Sequence, residues 1–357
     1  MKINDIRELL HIAHENKASD LHVTTGIPPK IRVDGELRSV GDEKLMPNDT
    51  EQLIKSIMND HATEIFFQKG EVDFSYVVPG TGRYRVNVFR QRGSYSCVMR
   101  IVNTEIPTPE ELKLPTSVVE LTGQKKGLIL VTGPTGSGKT TTLASLINVI
   151  NENKNLHIIT LEDPIEYLHR HKKSIVNQRE IGIDSINYAD ALRAALREDP
   201  DVILVGEMRD LDTISTAVTA AETGHLVLST LHTTGASNTI DRIIDVFPPH
   251  QQQQIRIQIA SVLKSVISQQ LVPCEEGGRV AAFEVMHSNA AIRNLIREAK
   301  THQIDTIIQT GRKSGMLGMD DALAELVSEK LISAETAYEY AQDQASIDRK
   351  LRLANNE

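Results

Sequence analysis

Cysteine is scarce in this 357-residue chain, and the two that occur stand far apart. Cys97 and Cys274 make no Cys-x-x-Cys pair, which excludes a four-cysteine zinc site and suits reduced thiols. Long apolar runs are missing as well, for no segment approaches the roughly 20 residues a membrane span needs. The opening Met1-Lys-Ile-Asn-Asp-Ile-Arg-Glu8 lacks an apolar signal-peptide core, so the chain reads as cytosolic, with any membrane contact made only through partners. Nor is there an excess of positive charge. With 48 acidic and 39 basic residues the net charge is −9, which argues against a whole-surface nucleic-acid footprint. No internal repeat or low-complexity tract appears beyond the short run Gln251–Gln254, read as a polar helix face. What remains, at 40% hydrophobic and 24% charged residues, is a globular chain long enough for about two domains.

The most informative stretch is Gly133-Pro-Thr-Gly-Ser-Gly-Lys-Thr140. It follows the apolar run Gly127–Val131 and leads into a helical pattern from Thr141, the strand–loop–helix context of a phosphate-binding loop. Its glycines allow a tight curl in which backbone N–H groups and a helix N-terminus converge on an anion. Lys139 can then reach the β- and γ-phosphates of a nucleoside triphosphate, and the Thr140 hydroxyl can bind Mg²⁺. Gly133, Pro134, Thr135, Gly136, Ser137, Gly138, Lys139, Thr140 and Thr141 are the candidate ATP-binding residues.

Around this loop, strands at Gly127–Val131, His157–Leu161, Val202–Val205 and Leu226–Thr230 alternate with helices at Thr140–Asn151, Tyr188–Glu198, Leu211–Glu222 and Ala236–Ile244. Such alternation predicts an α/β domain with a parallel sheet of the recombinase (RecA)-like P-loop type. It occupies 116–357, with a helical C-terminal region from about 251. Residues 1–105 predict a smaller α+β domain, with a helical stripe from Ile3 to His14, a helix from Asp49 to Met58 and short strands between turns at Asp34-Gly35 and Pro79-Gly80. Between the two, Ile106–Pro115 holds three prolines and reads as a semi-rigid linker.

Three further elements place chemistry on one edge, because the carboxyl ends of parallel strands share a side of the sheet. Asp201-Val-Ile-Leu-Val-Gly-Glu207 matches a Walker B strand, whose Glu207 can act on Mg²⁺ directly or through water. His157-Ile-Ile-Thr-Leu-Glu-Asp163 ends in Glu162 and Asp163, which serve either as turn-capping acids or, facing the γ-phosphate, as a base for water. His225 begins and His232 ends a third strand. A strand-end histidine is ordinarily structural, but the shared edge lets His232 donate a hydrogen bond to the γ-phosphate and report its loss.

Taken in order, Gly133–Thr140, Ile159–Tyr167, Asp199–Asp210 and Thr223–Ala236 resemble the Walker A, Asp-box, Walker B and His-box motifs of the type II/IV secretion ATPases. Within that superfamily, Ala291-Ile-Arg-Asn-Leu-Ile-Arg-Glu298, Ile308–Met316 and Met319–Leu323 look like the ATPases that retract type IV pili in twitching motility. Ala291–Glu298 also has a physical reading. Ile292, Leu295, Ile296 and Ala299 define one apolar helix face, with Arg293, Arg297 and Glu298 away from it.

The resemblance implies a Mg²⁺-dependent ATPase working as a homo-oligomeric ring hexamer, with a PAS-like N-terminal domain. Lys139 would hold the phosphates, Glu162 activate water, Glu207 support metal and water, and His232 sense the γ-phosphate. Arg85 and Arg100 would reach nucleotide from the N-terminal domain, Arg83 and Arg90 lying near them. The work would turn an inner-membrane platform protein and indirectly depolymerise pilin. Pilus extension and type II secretion ATPases usually carry a four-cysteine knuckle and a longer N-terminal region, and this chain has neither. A non-hydrolysing scaffold is disfavoured by the intact acids, Lys139 and His232; DNA translocation is disfavoured by the acidic balance.

Overall fold

A computed structural model describes residues 5–33, 35–79, 81–102 and 105–354. Ile3, Asp34 and Gly80, each part of a helix or turn expected above, lie outside the described residues. The chain divides into two compact units, one of 1–105 with 166–168 and one of 106–165 with 169–357.

In the first unit, the Asp5 carboxylate accepts the Arg7 amide and starts α1 (Ile6–Glu15), which buries Ile6, Leu9, Leu10 and Ala13 at helical spacing. Strands β1 (Asp20–Val23), β2 (Lys30–Val33), β3 (Glu36–Ser39), β4 (Glu71–Val78), β5 (Gly82–Gln91) and β6 (Ser94–Val102) form a sheet ordered β3-β2-β1-β6-β5-β4. Its pairings are all antiparallel. Helices α2 (Pro47–Lys55) and α3 (Asp60–Lys69) complete the unit. β5 shows the period of two: Tyr84, Val86 and Val88 are buried, while Arg83, Arg85 and Asn87 alternate with them on the other face. Cys97 sits in this core, where burial pushes its thiol pKa up to about 12. Two elements carry no legible pattern: β3 is exposed along its length, and α3 buries only Ala62 and Phe66.

The second unit opens differently from the expected linker. Thr108 and Glu111 cap each other's amides, at 2.8 and 3.2 Å, in a turn, and Leu114 is buried beside Val118 and Ile147. The prolines thus punctuate a packed turn. After the short helix α4 (Thr116–Val119) come β7 (Gly127–Thr132), α5 (Lys139–Asn153), β8 (His157–Glu162), β9 (Ile175–Glu180), α6 (Tyr188–Ala195), β10 (Val202–Val205), α7 (Leu211–Glu222), β11 (Leu226–Leu231), α8 (Ala236–Asp245) and α9 (Pro249–Val262). A hairpin follows, β12 (Leu263–Pro273) and β13 (Arg279–His287), then α10 (Ala290–Arg297), α11 (Ile304–Thr310), α12 (Met319–Ser328), α13 (Ala334–Tyr340) and α14 (Gln344–Ala354). The sheet runs β13-β12-β7-β11-β10-β8-β9, parallel except for the β12–β13 pair. Among the described residues, no helix is long and apolar enough to cross a membrane.

The hairpin is not expected from the sequence and interrupts a region that is otherwise helical from about 251. Ser265, Ser268 and Gln269 interrupt the apolar pattern of β12, yet all three are buried and hydrogen-bonded to neighbouring elements. β9 was likewise not expected from Ile-Val-Asn-Gln-Arg-Glu, which is polar at four of six positions. On α10, Ile292 and Ile296 are buried, but Ala299 lies past the helix end, exposed and at φ +57°, so it does not extend the apolar face.

Candidate nucleotide-binding site

The central strands deliver four segments to one edge. β7 ends in the Gly133–Thr140 loop, β11 in His232, β10 in Gly206-Glu207, and Glu162 is the last residue of β8. All four strands are parallel and adjacent in that order, so these carboxyl ends sit side by side.

The loop curls as its glycines permit. Gly136 and Gly138 have φ +79° and +87°, a region closed to most other residues. At Gly133 (φ +143°) a β-carbon would stand 2.2 Å from the Gln269 carbonyl oxygen, so no larger residue fits. Lys139, 7% exposed, turns its ammonium back into the curl and donates to the Gly133 and Pro134 carbonyls, both at 2.9 Å. Among the described residues the buried Ser137 hydroxyl has no hydrogen-bond partner, although such groups are nearly always paired. An orphaned hydroxyl, a buried ammonium and a glycine cradle at the start of α5 together fit a phosphate group.

His232 bridges the loop and the neighbouring acid. Its Nδ1 lies 3.4 Å from Thr135 Oγ1 and its Nε2 lies 3.3 Å from Glu207 Oε2. Glu207 also accepts from Arg209 Nε at 2.7 Å. Glu162, 8% exposed, takes two donors on Oε1: the Thr160 hydroxyl at 2.6 Å and Gln178 Nε2 at 3.0 Å. Gln178 in turn accepts the His169 amide at 2.8 Å. Asp163 is exposed beyond the strand.

Several of these partners escape a reading of the sequence. Gln178 lies on the polar strand β9, Tyr188 belongs to no motif, and Arg209 lies within the Asp199–Asp210 motif with no expected role there. The Tyr188 hydroxyl occupies the space beside Gly206, where a β-carbon would come within 2.7 Å of it. Burial first, and then the nearby Glu207, Asp163 and Glu162, push its phenol pKa above the ordinary value. Gly206 thus leaves room for the Tyr188 hydroxyl close to three acids.

Other candidates fall elsewhere. His225 lies at the opposite end of β11, where Nδ1 is 2.9 Å from the Ala220 carbonyl and 3.3 Å from Thr223 Oγ1, which makes it a turn residue. Arg85 and Arg100 are directly opposed on β5 and β6 in the first unit. Arg100 Nε pairs with the buried Asp20 at 2.9 Å, and Arg83 donates to Ser75 at 3.0 Å. Arg90 stacks over Phe66 with its guanidinium 5.2 Å from the ring centre. Arg297 contacts Asn294 at 3.4 Å within α10.

For Mg²⁺, the Thr140 hydroxyl on the first turn of α5 and the Glu207 carboxylate are hard oxygen donors. Among the described residues, no cluster of three or more His, Cys, Asp or Glu could hold a metal alone. One hydroxyl with one carboxylate suits an ion that keeps water and phosphate oxygens as its other ligands.

A phosphate loop leaving the first of four adjacent parallel strands, with acids and a histidine on the same edge, defines a RecA-like P-loop ATPase. The chain belongs to the family described as "Type II/IV secretion system protein", which matches residues 1–355. It is 50% identical over 338 residues to the "Type IV pilus retractation ATPase PilT" of Pseudomonas aeruginosa, covering 95% of this chain and 98% of that one. It is 48% identical over 320 residues to the "Twitching motility protein" of Neisseria gonorrhoeae, covering 89% and 86%. Among solved structures it resembles the pilus retraction motor PilT with bound ADP at a TM-score of 0.91 and 50% identity, covering 97% of this chain and 99% of that one.

Proposed function

We propose that this chain is the ATPase motor that retracts type IV pili, coupling ATP hydrolysis to pilin depolymerisation. The observation that carries the reading is the near full-length match, at 50% identity, to a retraction ATPase. It is supported by Lys139, Glu162, Glu207 and His232 lying at or just beyond the ends of adjacent parallel strands.

The loop amides and Lys139 bind the β- and γ-phosphates, their positive charge opposing the charge that builds on the transferring group. Thr140 and Glu207 hold Mg²⁺, directly or through water; when bound, the ion neutralises phosphate charge. Glu162 takes a proton from the attacking water, its Oε1 fixed by Thr160 and Gln178. His232 already spans the loop and Glu207, so a change at the γ-phosphate alters a side chain that touches both. Arg85 and Arg100 supply further positive charge to nucleotide from the first unit, Arg100 by exchanging Asp20 for phosphate. The chain acts as a ring hexamer in the cytoplasm, at the inner face of the membrane, and meets the membrane only through an inner-membrane platform protein. Arg293 and Arg297, off the buried face of α10, transmit the work.

Deleting the gene and complementing with the wild-type or the Arg293→Ala/Arg297→Ala chain tests this reading. Retraction requires hyperpiliated, non-twitching deletion cells, whereas bald cells mean extension. The double variant should hydrolyse ATP normally and fail to restore twitching. Full motility would reduce α10 to an ordinary surface helix.

A further inference from the structure

β12 lies beside β7 and runs under the phosphate loop, and three consecutive residues on it carry polar side chains. Ser268 Oγ accepts the Gly235 amide at 3.0 Å, at the start of α8 just beyond His232. Gln270 Nε2 reaches the Tyr340 carbonyl at 3.4 Å. Between them Gln269, 1% exposed, points to the opposite face of the sheet.

A glutamine buried so completely costs free energy unless its amide is satisfied. Gln269 Nε2 donates to the Ser137 carbonyl at 2.5 Å, and its Oε1 accepts the Thr142 hydroxyl at 2.9 Å. Only one orientation of the amide serves both, because a carbonyl can only accept. The two anchor points flank Gly138–Thr141, where the loop becomes a helix. The fit is close at both ends of the loop: a β-carbon on Gly133 would meet the Gln269 carbonyl at 2.2 Å, and one on Gly138 would stand 3.1 Å from Nε2.

In a trans peptide the C=O and the following N–H point in opposite directions. Holding the Ser137 carbonyl down on β12 therefore aims the Gly138 N–H away from β12. We propose that Gln269 is a positioning residue of the phosphate loop, fixing the direction of its amides before nucleotide binds. This rests on the reading that 133–140 holds the phosphates. Ordering the loop in advance removes a cost that binding would otherwise carry, so the residue acts mainly on affinity.

Gln269→Met keeps the volume and removes both hydrogen bonds; Gln269→Glu keeps only the acceptor; Thr142→Val removes one bond from the other side. Full-length variants are compared by ADP binding, by kcat and KM, and by hydrogen exchange without nucleotide. Gln269→Met is expected to raise the ADP Kd and the KM for ATP about tenfold, with a smaller change in kcat. Exchange should quicken in a peptide spanning 133–142 while β7 stays protected. Gln269→Glu should not rescue, and Thr142→Val should weaken ADP binding about threefold. A folded Gln269→Met with unchanged Kd and KM overturns the proposal, as does a loss confined to kcat. If Gln269→Met does not fold, unchanged affinity in Thr142→Val overturns it instead. Lys139→Ala with full affinity and turnover would reject the underlying reading, and the proposal with it, whatever Gln269 does.

Discussion

The two sheets bury their residues in opposite ways. In the larger sheet β7, β10 and β11 are buried at every position, with helices packed on both faces. In the smaller sheet β5 alternates buried and half-exposed positions, and β3 is exposed throughout. A strand closed on both faces can offer a ligand little but its end. Glu162, Glu207 and His232 accordingly stand at strand ends, while the arginines of the smaller sheet stand along a strand face. One sheet concentrates chemistry on an edge, and the other spreads charge over a surface.

The sharpest test of that contrast is the edge itself. Lys139→Ala should abolish hydrolysis by the purified protein. Retention of more than about a tenth of turnover, a barrier change of only ~1.4 kcal/mol, rejects the phosphate-loop assignment. Glu162→Gln keeps size but not basicity, and should lower turnover about 100-fold while preserving ATP binding. Normal turnover in that variant would move the base elsewhere, Glu207 being next, and Glu207→Gln is measured alongside it. Burial is probed by stability. Ile203→Ala, in the middle of fully buried β10, should cost about 2–5 kcal/mol in denaturant unfolding. Leu37→Ala on exposed β3 should stay within about 0.5 kcal/mol; equal costs would erase the distinction between the sheets. The smallest loss of turnover is expected at the arginines. Arg85→Ala and Arg100→Ala should each lower turnover several-fold, and since the Asp20 side chain that Arg100 pairs with is only 7% exposed, loss of that pair should cost about 1–3 kcal/mol in stability. Mixing either variant with Lys139→Ala subunits restores activity if the arginines serve a neighbouring subunit. Normal turnover in both rejects their role.

The contrast also explains what could be read from the residues alone. The phosphate loop is a local pattern, since its glycines and Lys139 sit within eight positions. Glu162, Glu207 and His232 are marked by apolar runs that end in polar residues, and parallel topology then places them together. Gln178, Tyr188 and Gln269 gain their places from contacts with residues well separated in the chain. Gln269 meets Ser137 across 132 positions, and nothing within β12 announces it. β9 and β12 were hidden because their polar side chains are satisfied by partners that the sequence does not bring near.

The strand order has a consequence for how the chain is made. β7 is a central strand only because β12, more than 100 residues later, pairs along its far side. Synthesis proceeds from the amino terminus, so β7, β8, β10 and β11 are all complete before β12 exists. Until then Leu128–Thr132 is an apolar strand with one unpaired edge, the kind of edge that recruits other chains. A ribosome-bound chain halted before residue 263 should therefore be prone to aggregation and should need a chaperone, whereas a chain long enough for Leu263–Pro273 to leave the ribosome closes that edge. The motor's most dangerous moment falls during its birth, in the interval between the making of its nucleotide loop and the arrival of the strand that covers β7.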